Sequence, residues 1–366
     1  MLAKVIAGGA EGVVFDGAGF GAAGILAASC PETVLEGDWS AWGVLQDALG
    51  SGGRRDESGG LAGWFDYEGN FRFGVFPSWT RHCGAWPPAG GRPAGADFRP
   101  TLSRDAWIGN VLHAQACIAA GDIYQVNLTH SMASAWEGCT AAFHQRLRAV
   151  SPAPYSCFLR LGDTAVASAS PECFLRIDGR RIVTKPIKGT RPRRPRANDD
   201  EAQVRELLAS EKERAELVMI TDLERNDLGQ VCEFGSVKVD ALCRLESFAQ
   251  VHHLVSTVQG VLRPDISPLQ ALRACFPGGS ITGAPKKRAR EIIGELESCP
   301  RGIYTGAIGF FDWSGRAVFN IAIRTLVVRG DRASFGVGAG IVADSDPQAE
   351  YEETLHKAAG LFAALA

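Results

Sequence analysis

Ser156-Cys-Phe-Leu-Arg-Leu161, Thr164-Ala-Val-Ala-Ser-Ala169, Cys173-Phe-Leu-Arg-Ile-Asp178 and Arg181-Ile-Val-Thr-Lys-Pro-Ile187 follow one another with only short connections between them. Each run is apolar and of strand length, and Asp178-Gly179 supplies the left-handed backbone that a tight hairpin turn requires. Consecutive strands with no helix between them exclude the strand-helix alternation of a parallel sheet. A second meander is predicted over Ala307 to Phe311, Val318 to Val328 and Ala333 to Val342, turned at Ser314-Gly315 and Gly330-Asp331. Helical patterning covers Arg104 to Ala120, ended by Gly121. Asn198-Asp-Asp-Glu201 resembles a capping box opening a helix to about Asp222, and Asp346-Pro347 puts proline after an N-cap to start a terminal helix. This order of elements is α+β.

The chain has 366 residues, enough for one large domain or two ordinary ones, and needs no metal or disulfide to fold. Hydrophobic residues at 46% and charged residues at 22% exclude a disordered scaffold, and a net charge of -3 excludes a general nucleic-acid binder. No apolar run is long enough to cross a bilayer, and the N-terminal apolar stretch is too short for a secretory signal, so a cytoplasmic protein with no nucleic-acid or membrane partner is expected. Ten cysteines without a CxxC pair are expected to be buried free thiols. Residues 1–100 form a strand- and loop-rich region with turn compositions at 50–60 and 87–93 and an aromatic strand pair over 61–76 turned at Gly69-Asn70; periodic elements run from 104 to 362.

Chemistry concentrates in a few constellations. Glu213 and Glu216, and Glu350 and Glu353, are each three residues apart and share a helix face. Four converging carboxylates require a cation, and oxygen ligands without histidine favour Mg²⁺. The same residues also suit solvated faces, since they oppose Leu207 and Ala215 on one helix and Leu355 and Ala358 on the other. The segment Arg176 to Arg196 holds nine Lys or Arg and one Asp. Within it Pro186 and Gly189 break the ladder around Lys188, suiting either a desolvated nucleophilic amine or a basic loop. Phe276-Pro-Gly-Gly-Ser-Ile-Thr-Gly-Ala-Pro-Lys286 leads into a helix over Lys287 to Glu297, lacks the Walker A spacing, and offers an anion close backbone approach or a plain turn. His252 and His253 point to opposite sides, and Arg324 in an apolar strand requires an anionic partner.

Together the segments Gly121-Asp-Ile-Tyr-Gln-Val-Asn-Leu, Ser170-Pro-Glu-Cys-Phe, Pro186-Ile-Lys-Gly-Thr-Arg-Pro, Asp222-Leu-Glu-Arg-Asn-Asp-Leu-Gly, Val251-His-His-Leu-Val-Ser, Phe276 to Lys286, Ile321-Ala-Ile-Arg-Thr, Gly338-Ala-Gly-Ile-Val-Ala-Asp-Ser and Glu350-Tyr-Glu-Glu-Thr-Leu-His-Lys resemble the chorismate-utilising enzymes. Within that family they are most similar to the aminodeoxychorismate synthase component I branch. The resemblance implies the anthranilate synthase component I-like fold: two large antiparallel sheets packed face to face, helices outside, chorismate between. It implies that Glu216 and Glu353 bind Mg²⁺, supported by Glu213 and Glu350. It makes Lys188 the nucleophile, Glu172 the general acid/base and His253 an active-site residue. Thr190, Ser280, Ile281, Thr282, Gly283, Lys286, Tyr304, Arg324, Gly338, Ala339 and Gly340 correspond to substrate-holding positions. By the same resemblance Lys188 separates this branch from anthranilate and isochorismate synthases, which usually carry alanine there. The chain contains no glutaminase segment, so ammonia is expected from a separate class I glutamine amidotransferase subunit.

Overall fold

The computed structural model describes every residue except 1, 8, 22, 23, 52–57, 85, 93–95 and 249. The turn compositions at 50–60 and 87–93 therefore fall in part outside the described residues. Two antiparallel sheets, each of ten strands among the described residues, form the molecule. The first runs in the order Gly283–Ala284, Gln125–Ala135, Arg332–Ile341, Thr325–Arg329, Thr164–Ser170, Tyr155–Leu161, Gly12–Phe15, Ile25–Ser29, Thr80–His82, with Arg99–Pro100 also on Gln125–Ala135. The second runs Ile187–Pro192, Val251–Val261, Arg181–Lys185, Cys173–Asp178, Ala317–Ile321, Ala307–Asp312, Gly60–Phe65, Phe71–Phe76, Thr33–Gly37, with Lys238–Ser247 on Val251–Val261. Strands from the first hundred residues thus complete both sheets.

The inner faces meet in one apolar layer, in which Phe15, Leu159 and Val166 of the first sheet pack with Trp64, Phe310 and Val318 of the second. Period-2 alternation along each strand puts the other residues outward, where helices cover them. Thr140–Val150 and Pro347–Leu365 lie against the first sheet through Phe143, Leu147, Ala358 and Leu361. Pro268–Cys275 and Leu228 of Glu211–Gly229 lie against the second. Ser267 begins the helix Pro268–Cys275 with a complete capping box.

Several expected elements divide. The run 181–187 splits at Pro186, which has no N–H for the ladder, and both halves pair with Val251–Val261. The helix expected from 198 to 222 is two helices, Ala197–Ala209 and Glu211–Gly229. Ser210 between them is extended and caps the second, its Oγ accepting from the Glu213 N–H at 3.4 Å. The capping box at 198–201 does not form, because the helix starts at Ala197 with Arg196 at the N-cap and Asn198 already lies inside its first turn. The run 318–328 divides at residues 322–324, where Arg324 has φ of 50°. All ten cysteines are free, but only Cys157, Cys173, Cys232 and Cys275 are buried; Cys30, Cys83 and Cys299 are exposed. No helix among the described residues is long and apolar enough to cross a membrane.

Candidate active site

Two chain crossings fix the site. The chain leaves the first sheet at Ser170 and enters the second at Cys173, so Pro171 and Glu172 lie at the change of sheet. It returns from Ala317–Ile321 to Thr325–Arg329 through residues 322–324. The crossings are tied together: the Ser170 hydroxyl donates to the Ile321 carbonyl at 2.6 Å, the Ile321 N–H to the Glu172 carbonyl at 3.1 Å, and the Ala169 N–H to the Arg324 carbonyl at 3.1 Å. Glu172 and Arg324 therefore share one seam. No described side chain forms an ion pair or hydrogen bond with the Arg324 guanidinium, which leaves it free for an anionic ligand.

Glu172 is 4% exposed and its Oε1 has no hydrogen-bond partner. Burial pushes its carboxyl up to about 7, with the Ser280 hydroxyl and Lys188 acting in the opposite direction. This site costs stability: a carboxyl that titrates near 4.5 unfolded and near 7 folded loses about 3 kcal/mol as pH rises through that window. Glu172→Gln is accordingly expected to be more stable than the wild type at pH 8, by up to about 3 kcal/mol, and equal to it near pH 4. Urea unfolding at the two pH values measures the difference, and a variant no more stable at pH 8 would mean the carboxyl is solvated.

Lys188 reaches the same region because of its neighbour. The register between Ile187–Pro192 and Val251–Val261 shifts between Lys188 and Thr190, at Gly189 with φ of 71°. Glycine is required twice over, for the left-handed backbone and because a Cβ there would stand 2.8 Å from Glu213 Oε2 and Leu207 Cδ1. The bulge turns Lys188 toward Glu216, whose Oε2 is 3.7 Å from Nζ. On the other side a Cβ on Gly340 would come within 3.4 Å of Lys188 Nζ and 2.5 Å of Gln125 Nε2. Gly340 therefore keeps the amine's space open.

The acidic faces of Glu211–Gly229 and Pro347–Leu365 meet here. Lys212 on the first helix lies 3.8 Å from Glu350 on the second, and Glu350 accepts the Ser345 hydroxyl at 2.6 Å. Burial raises the Glu350 carboxyl. Burial also acts to raise Glu353, but Lys357, Lys212 and Lys188 outweigh it and hold that carboxyl below its usual range. Glu213 bonds Arg191 at 2.9 Å through Oε1, while its Oε2 is buried and unpartnered. In this structure each of the four carboxylates has a cation beside it, Lys188 by Glu216, Lys212 by Glu350, Arg191 by Glu213 and Lys357 by Glu353 at 2.7 Å, and as hard oxygen donors, one of them with an orphaned oxygen, their chemistry fits Mg²⁺. Among the described residues no three such groups yet stand at ligating distance of one point.

His253 Nδ1 is 2.9 Å from the Thr190 hydroxyl and its Nε2 is buried without a partner. Burial, assisted by the Arg324 guanidinium, pushes the imidazole down to about 4, so it is neutral at physiological pH. His252 faces the other way, to Ser247 and Asp200. Ser280 is buried with an unpartnered hydroxyl, whereas Ile281, Thr282 and Gly283 are engaged in structure: the Ile281 carbonyl accepts from Arg301, the Thr282 hydroxyl donates to Gly278, and Gly283 pairs with Val126. Tyr304 packs its ring over Gly336, and the Gly338 carbonyl accepts from Lys357 at 2.9 Å. Gly338, Ala339 and Gly340 pair with Thr129, Leu128 and Asn127 in the first sheet. Lys286 is not brought into this group; its Nζ pairs with the Asp227 carboxylate and donates to the Cys275 and Pro277 carbonyls at 3.0 and 2.8 Å.

Residues 85–363 match the model of the chorismate binding enzyme family. The chain belongs to that family. This family member is 50% identical over 259 residues to the aminodeoxychorismate synthase of Streptomyces griseus, covering 70% of this chain and 36% of that protein. It is 46% identical over 266 residues to an anthranilate synthase component 1 of Haloarcula marismortui, covering 73% of this chain and 54% of that one. The chain therefore spans about a third to a half of the length of these curated relatives. The crystal structure of anthranilate synthase component I from Streptococcus pneumoniae superposes with a TM-score of 0.81 at 28% identity, covering 92% of this chain and 91% of that one.

Sequence reasoning did not single out Gln125 in this chorismate binding enzyme. Its side chain is buried, with Oε1 unpartnered and Nε2 beside Gly340 and therefore beside Lys188. A buried glutamine with a free oxygen is a signal in coordinates only, because its placement comes from the pairing of Gln125–Ala135 with Arg332–Ile341.

Proposed function

We propose that this protein aminates chorismate at ring carbon 4, giving 4-amino-4-deoxychorismate for 4-aminobenzoate and folate synthesis, with ammonia delivered by a separate class I glutamine amidotransferase subunit. The observation that carries this reading is the Lys188 amine, held beside Glu216, Gly340 and Gln125 on the side of the cleft where Glu172 stands. An amine so placed can attack ring carbon 2 while Glu172, protonated in part near neutrality, gives a proton to the departing C4 hydroxyl. Ammonia then adds at C4, the lysine leaves, and Glu172 takes up a proton from the new amine. Arg324, with no protein partner, is suited to a substrate carboxylate, and neutral His253 is suited to accept or donate a hydrogen bond through Nε2. Glu216 and Glu353 would hold Mg²⁺, with Glu213 and Glu350 behind them, and the ion would neutralise and orient the ring carboxylate.

The second reading is anthranilate synthase component I, favoured by relatives of that name at comparable identity. Incubation with chorismate, Mg²⁺ and ammonium, followed by product mass, separates the two. Aminodeoxychorismate is expected, with turnover lost on chelation and a raised Mg²⁺ requirement in Glu216→Gln and Glu353→Gln. Anthranilate with released pyruvate would establish the second reading, and Mg²⁺ titrations like the wild type in both variants would defeat the metal assignment.

A further inference from the structure

Glu224 has no part in the mechanism above, yet it is 6% exposed and carries a carboxyl into the interior. Its Oε2 accepts the Thr184 hydroxyl at 2.6 Å, and no described cation pairs with it. One side of it faces the reaction centre. A Cβ on Gly279 would stand 3.5 Å from Glu224 Cγ, so the turn bearing Ser280 packs directly on this side chain. Ser280 Oγ and Glu172 Oε1 are both buried without a hydrogen-bond partner, and they lie close enough for Ser280 to influence the Glu172 carboxyl. The Glu172 carboxylate in turn acts to raise the Glu224 carboxyl.

On the other side, one helical turn along, is Asp227, 5% exposed and paired with Lys286. Asp227 and Lys286 line a second cavity of about 1020 Å³, together with Tyr67, Phe276, Glu297 and Arg301. That cavity contains none of Lys188, Glu172, His253 and Arg324. Three carboxyls therefore stand in file from the reaction centre to a separate space, with a lysine at the outer end and Lys188 at the inner. Both lysines have carboxylate partners of their own, in Asp227 and Glu216. The middle carboxyl has none, so the neutral acid is the form its surroundings favour, and burial together with Glu172 and Asp227 keeps it well above the usual carboxyl range against the pull of Thr184 and Lys286.

We propose that Glu224 and Asp227 form a proton relay between Glu172 and the second cavity, in which Glu224 returns to Glu172 the proton given to the leaving hydroxyl. This rests on the amination proposed above. Glu172 transfers its proton to the C4 oxygen as the C4–O bond breaks, water departs and a carboxylate remains. The Glu224 acid reprotonates it through the Ser280 hydroxyl or a bridging water, and Asp227 passes a proton from water in the second cavity to restore Glu224. When ammonia has added at C4, Glu172 passes its proton along the same file in reverse, through Glu224 and Asp227 to water, and takes up the surplus proton of the new amine, so every carboxyl ends the cycle as it began.

Glu224→Gln keeps the shape and the acceptor for Thr184 but cannot pass a proton. Infrared difference spectra of substrate-free protein at pH 7 are expected to show one protonated-carboxyl absorption in the wild type that is missing from this variant. In single turnover with chorismate and ammonium, the variant is expected to be about tenfold slower or more, with a larger solvent deuterium isotope effect, at a melting temperature no lower than that of the wild type. No lost absorption, or a wild-type rate and isotope effect, would overturn the relay. A wild type that leaves chorismate unchanged would overturn the amination instead, and the infrared result would then decide the relay alone. Should Glu224→Gln not fold, Thr184→Val carries the same test, expected to move that absorption in frequency; an unmoved band overturns the proposal.

Discussion

Lys188→Ala is expected to aminate chorismate about 10³-fold more slowly than the wild type or worse, and to form no covalent adduct. The size of the loss follows from the absence of a substitute. Lys185, the nearest lysine in sequence, is pinned to Glu246 at 2.7 Å, and Lys212 faces Glu350. Lys286 is held by Asp227 and two carbonyls. None can swing into the space that Gly340 leaves beside residue 188. Denaturing mass spectrometry of quenched reactions is expected to find wild-type protein carrying chorismate less one water, and Lys188→Ala protein unmodified. Lys188→Arg, which retains charge but lacks a nucleophilic free pair, is expected to behave as the alanine variant does. Turnover within tenfold of the wild type in either would remove the nucleophile and leave Lys188 an electrostatic role beside Glu216.

What could be read from residues alone was what is settled locally. Asp178-Gly179, Gly69-Asn70 and Asp346-Pro347 mark their turns and cap because the backbone there depends on the residues themselves. The two acidic pairs are legible as faces for the same reason, but their meeting is not, since it depends on Lys212 and Glu350 being joined through the packing of separate helices. Arg324 shows the limit more sharply. Val318 to Val328 looks like one strand, and only the left-handed φ of Arg324, which no arginine side chain announces, reveals that the chain changes sheets there. That change is what places Arg324 and Glu172 on a common seam. Lys286 belongs to the motif that carries the resemblance, yet its position is decided by Asp227, a partner 59 residues away. Glu224 and Gln125 lay within quoted motifs without a role, because burial without a partner is a property of packing.

Arg301→Leu is expected to lower stability by about 3–5 kcal/mol, measured by urea unfolding. Arg301 is 6% exposed and gives Glu297 a two-point contact, Nε to Oε2 and Nη2 to Oε1, each at 2.7 Å. The same guanidinium donates to the Ile281 carbonyl at 2.8 Å and the Asn127 carbonyl at 2.7 Å, and lies 4.3 Å from the centre of the Tyr67 ring. Leucine would leave a carboxylate only 7% exposed without its cation and two carbonyls without donors. The pair variant Arg301→Leu/Glu297→Leu is expected to regain part of the loss, because no buried charge remains, while the Thr129 N–H that Glu297 accepts at 2.8 Å stays unpaired. Activity is expected not to follow stability. The Ile281 carbonyl lies one residue from Ser280, and neither variant restores its donor, so the pair variant should be firmer than Arg301→Leu in urea yet no faster with chorismate. Recovery of both together would mean that Arg301 serves the fold alone and that the Ser280 turn holds its place without it.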